Sequence, residues 1–289
     1  LNNAIKHGSL RNEMKTCLTT SLLIIAATAI ASMASLNASD MIISTSQGVG
    51  AFNTTLGNVN VETFDGLSTG VNNNVSWNGV GTFDSLNVKS ADQYGGAPTA
   101  ANPKGSQYAV EGLNVVNTTT LRLNTASSYF GLYWSAGDAA NDLKFYNGNT
   151  LVADFTTANL MNKLPGSYYG NPITAGSNAG KNSGEPYGFI NFVGDANTSW
   201  DRIVFGNNAG SGFEADNYTS RVNGWNPITD GALPGTPLLE LKNGTLTSIN
   251  AVPVDFAAAP GAPAPSLTAC LAFAGVLLLQ ALRRAKTVA

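Results

Sequence analysis

From Ser35 to Ala259 the chain is cut into short apolar stretches by Gly, Asn, Asp and Pro, and helical periodicity is nearly absent. That punctuation dictates a fold of many short strands. "TLRLN" (120–124) puts Leu121 and Leu123 on one face, and "YFGLYW" (129–134) puts Phe130, Leu132 and Trp134 opposite Tyr129 and Tyr133. "DLKFYNGNTLVADF" (142–155) reads as a hairpin, because Asn147-Gly148 supplies the positive φ angles of a tight turn. Its inward residues are expected to be Leu143 and Phe145, then Leu151, Ala153 and Phe155. Further strands are expected at 60–64, 107–113, 187–193, 201–206 and 212–219, with a strand pair near 238–249 around Asn243-Gly244. A short helix is expected within 155–164, and 166–186 reads as a long surface loop. The expected fold is all-β: a single jelly-roll-like antiparallel β-sandwich over 35–250.

Two apolar ends flank that body. Residues 1–13 fit no signal pattern, but Met14-Lys15 followed by the apolar run 21–31 and small residues reads as a signal helix, with cleavage after Ala34. A Pro/Ala linker (251–266) leads to a C-terminal segment (267–289) in which Leu267–Leu282 is apolar. Its 16 residues span about 24 Å as a helix, less than the roughly 20 residues of a comfortable membrane span. Arg283 and Arg284 follow it, which places the body outside the cytoplasm.

Chemistry is bounded by what the body lacks. Cys17, Cys270 and His7 all fall outside 35–259, which removes thiol catalysis, thiolate or imidazole metal sites, and histidine triads. The same stretch carries 17 acidic and 9 basic residues, a poor match to a phosphate backbone, so nucleic acid is not an expected partner. A non-enzymatic protein is expected, with a carboxylate-only glycan hydrolase left open.

Oxygen-rich clusters remain. In "GFEADNY" (212–218) alternation puts Glu214 and Asp216 on one face, where with Asn217 they could bind Ca²⁺, act as a glycosidase pair, or simply form a polar strand face. Asp138 and Asp142, with Asn141, form a second cluster that could hold Ca²⁺ or make turns. Among the aromatics, Trp134 reads as core, whereas Tyr129 and Tyr133 are the better sugar-stacking candidates.

The tail has three parts in order: the tetrad Pro263, Ala264, Pro265 and Ser266, the apolar run, then Arg283 and Arg284. It resembles the PEP-CTERM sorting signal of Gram-negative bacteria, with Ala264 where that signal usually carries Glu. The blocks 129–156 and 200–219 are similar to stretches common in such surface proteins, especially of cyanobacterial type. The resemblance implies secretion across the inner membrane to the cell surface or extracellular matrix. It also implies signal peptidase and an exosortase-type membrane protease as partners, and transient membrane contact through the tail. The functions to weigh are a structural or adhesive surface protein set in extracellular polysaccharide, a Ca²⁺-assisted carbohydrate-binding module, and the glycan hydrolase.

Overall fold

A computed structural model describes residues 40–46, 51–91, 94–113, 116–226, 230–242 and 245–249. Its strands in chain order are β1 (Asp40–Thr45), β2 (Asn60–Glu62), β3 (Gly70–Trp77), β4 (Gly81–Lys89), β5 (Tyr108–Glu111), β6 (Thr118–Ser127) and β7 (Tyr129–Trp134). After them come β8 (Asn141–Asn147), β9 (Thr150–Thr156), β10 (Gly188–Gly194), β11 (Trp200–Asn207), β12 (Phe213–Ser220), β13 (Thr236–Lys242) and β14 (Thr245–Ser248). A single helical turn, α1 (Ala158–Met161), and a 3-10 turn (Gly166–Tyr168) lie between β9 and β10.

All of these strands belong to one antiparallel sheet, in the order β14-β13-β1-β10-β7-β12-β5-β4-β6-β11-β8-β9, with β2 added to β12 and β3 to β4. The expected two-sheet sandwich is therefore corrected: the body is a single sheet curled into a half-barrel. Curling brings strands distant in the sheet into contact across the concave side. Phe145 of β8 lies 4.9 Å from Phe192 of β10, and Phe155 of β9 lies 5.2 Å from the same ring. Phe130, Phe205 and Tyr218 complete an interlocked aromatic centre. Each such ring contributes about 1.5–3 kcal/mol through burial, which explains why the curl closes.

The outer side of β1, β7 and β10 is covered too, by loops instead of a second sheet. Tyr129 packs with Ile42, Val193 and Trp225, and Tyr133 packs with Tyr187, Phe189 and Phe52. Between the two tyrosines sits Gly131, where an added Cβ would lie 2.6 Å from the Phe189 ring and 2.7 Å from the Tyr129 hydroxyl. A glycine is required there because the outer-face rings close over the strand.

Expectations tied to the termini are also corrected. Among the described residues no helix is long and apolar enough to cross a membrane. The signal segment 1–34 and the linker and tail 251–289, including Pro263, Ala264, Pro265, Ser266, Arg283 and Arg284, lie outside the described residues. The membrane contact, the signal peptidase and exosortase partners, and the surface localisation expected from that tail are therefore carried by no helix among the described residues.

Candidate functional site

Strand β12 carries the densest polar chemistry, and its geometry follows from alternation broken once. Phe213 and Ala215 enter the core, so Glu214 and Asp216 face outward, as the sequence pattern requires. At Asn217 the backbone turns to φ +49° and the register against β7 shifts by one residue. That bulge reverses the alternation and sends Tyr218 into the core instead of outward. Asn tolerates this left-handed conformation better than most residues.

The two outward acids meet different surroundings. Asp216 is fully buried: Oδ2 accepts from the Ala97 amide at 2.9 Å and the Ser106 hydroxyl at 2.5 Å, while Oδ1 accepts from the Asn217 amide at 2.7 Å. Asn217 Nδ2 donates to the Phe52 carbonyl at 2.9 Å and to Asn53 Oδ1 at 3.2 Å. Together the pair fastens the loops around 52–53 and 97–106 onto the sheet. Burial pushes the Asp216 carboxyl up to about 7 despite those donors.

Glu214 points toward a group of acids. Burial, with the charges of Asp138 and Glu185, raises its carboxyl to about 7, and Lys89 pulls it back slightly. Asp138 is committed to its loop: its carboxylate accepts from the Ala140 amide at 2.7 Å and the Ser211 hydroxyl at 2.5 Å, and its carbonyl accepts from the Thr157 hydroxyl. Asp142 lies apart, paired with Lys144 at 2.5 Å; Lys144 also reaches Asp154 at 3.2 Å. Asn141 accepts from the Trp134 indole at 2.6 Å and donates to the Gly212 carbonyl, a structural tie.

Asp138, Asp142, Glu214, Asp216 and Asn217 are thus not gathered into one coordination shell. Among the described residues no group of three or more Asp, Glu, His or Cys is placed to hold a metal ion. Neither Tyr129 nor Tyr133 retains accessible surface, and Trp77, Trp134, Trp200 and Trp225 are buried as well, so none of these rings can stack on a sugar. A concavity of about 500 Å³ lies over the fastened loops and is lined by Phe52, Pro98, Ala100, Pro103, Pro172 and Thr174 among others.

One buried carboxyl is not evident from the sequence pattern. Glu111 of β5 lies directly opposite Phe213 of β12, on the core side, with no exposed surface. Its Oε1 accepts from the Tyr218 hydroxyl at 2.7 Å, and its Oε2 has no hydrogen-bond partner among the described residues. Burial pushes this carboxyl up to about 8. The signal was available in "QYAVEGL", where Ala109 and Glu111 share a face, but apolar counting favours Tyr108 and Val110 as the inward pair.

Compared with known proteins, the chain matches no family model and no curated protein sequence.

Proposed function

We propose that this chain is a structural or adhesive β-module and not an enzyme. The observation that carries this reading is the consumption of its ligand-suited groups by the fold itself. Tyr129 and Tyr133 are buried under loops, and Asp216 and Asn217 spend their hydrogen bonds fastening those loops. A glycosidase needs two carboxyl groups facing a substrate across about 5–9.5 Å. Asp216 has no solvent-accessible face with which to take part. Kinship with PEP-CTERM-like proteins is part of the same proposal at the level of the β-body. The residues that make blocks 129–156 and 200–219 recognisable, among them Gly131, Trp134, Asp216 and Asn217, are those that hold the sheet and its loops together.

Assay of the full chain on polymeric glycans is expected to give no hydrolysis, and hydrolysis abolished by Glu214→Gln would sink this reading. A second reading, a carbohydrate-binding module, is favoured by the concavity at Phe52. A glycan array run with calcium and with chelator separates the two. The structural reading expects no calcium-dependent retention; retention that is lost in Phe52→Ala would favour the binding module.

A further inference from the structure

The sheet order makes β5 unusual. One half of the sheet runs from β14 to β12 and the other from β4 to β9; β5 is the strand that joins them in the ladder. It is four residues long, pairing with β12 at Glu111, Val110 and Ala109 and with β4 at Ala109 and Tyr108. This short link carries Glu111 on its core side, wholly buried, with the Tyr218 hydroxyl as its hydrogen-bond donor and its second oxygen unmatched.

A carboxylic acid tolerates that setting as a neutral group, accepting one hydrogen bond. A carboxylate does not, because a buried charge needs several donors or a cation. The groups bearing on it are Tyr218 of β12, whose donated hydrogen bond favours the charged form, and Glu214 on the opposite face of β12, which disfavours it. From β4, Lys89 acts on Glu214 instead. Asp216 bears on Tyr218. We propose that Glu111 makes β5 a proton-held joint: protonated, it keeps the two halves of the sheet together, and loss of its proton loosens them along the β5–β12 ladder.

Hydrogen exchange on the full chain tests this directly, read at the Ala109 and Ala215 amides of the β5–β12 ladder between pH 6.5 and 9. In the wild type, protection there is expected to fall at least tenfold beyond the intrinsic base-catalysed rise, while the β8–β9 hairpin keeps its protection. Glu111→Gln, which retains an acceptor for Tyr218 and cannot ionise, is expected to remove that loss. Equal pH dependence in wild type and Glu111→Gln overturns the joint. Should Glu111→Gln fail to fold, the carboxyl ¹³C titration of wild-type Glu111 decides. Titration near neutrality or above supports the proposal, and titration in the ordinary carboxylate range, near 4 to 5, defeats it. Tyr218→Phe removes the donor that favours the charged form, so the loss of protection should move to higher pH.

Discussion

Gly131 and Asp216 carry consequences out of proportion to their size, and both act on the outer face. A Cβ at Gly131 would enter the space of Phe189 and the Tyr129 hydroxyl, both fixed by packing. Gly131→Ala is expected to cost about 1–3 kcal/mol, through displaced rings and not through backbone conformation. Urea unfolding monitored by circular dichroism checks it, and a neutral result would mean that the rings move freely. Asp216→Ala strands the buried amides of Ala97 and Asn217 together, while the Ser106 hydroxyl keeps the Ala97 carbonyl as an acceptor. Each orphaned donor costs about 1–3 kcal/mol, so a loss of about 3 kcal/mol is expected in the same measurement, with faster proteolysis of the 94–107 loop. The outward direction of Asp216 was legible from alternation. Its role was not, because Ala97 and Ser106 are more than a hundred positions away and nothing local announces them.

At the level of elements, the hairpin β8–β9 shows where pattern reading succeeds and where it slips. Leu143, Phe145, Ala153 and Phe155 enter the core as alternation predicts. Leu151 does not: the pairing shifts by one residue between Phe145 and Tyr146, Val152 becomes the extra residue, and Leu151 is left 48% exposed. Leu151→Thr is therefore expected to change stability by less than about 0.5 kcal/mol, while Phe145→Ala costs about 3–5 kcal/mol. Paired unfolding curves of the two variants check the contrast, and a large loss in Leu151→Thr would place that side chain in the core after all. Bulges at Val152 and Asn217 invert a strand without changing its composition, which is why period-2 counting passes over them. Strand β3 escaped for another reason. "GVNNNVSW" is Asn-rich and reads as loop, yet it pairs along β4 with Val75 and Trp77 turned inward. Asn74 in mid-strand, at φ +51°, interrupts an edge that pairs on one side among the named strands. An interrupted edge discourages pairing with another chain.

For the whole molecule, the decisive facts are pairings between distant parts of the chain. Strand β1 lies between β10 and β13, so residues near 42 meet residues near 193 and 240. Local patterns identify strands but not which distant strand each will meet, and so a single curled sheet and a two-sheet sandwich look alike in sequence. One sheet around one aromatic centre predicts one unfolding event. Trp77, Trp134, Trp200 and Trp225 sit in different parts of the fold and are all buried. Tryptophan fluorescence and far-ultraviolet dichroism should therefore report coincident transitions below pH 7. The acids then set how that event moves with pH. Glu111, Glu214 and Asp216 are all raised above their ordinary range by burial, to about 8, 7 and 7. A folded chain that binds more protons than the unfolded one gains stability at low pH. That gain is complete below about pH 4 and is lost as pH rises through 7 to 8. The thermal midpoint is expected to fall between pH 5 and about 8 and to level off above that. In the double variant Glu111→Gln, Glu214→Gln the slope should shrink, leaving Asp216 as the main contributor. A midpoint that rises over this interval would show that these carboxylates are stabilised as charges, contrary to their burial.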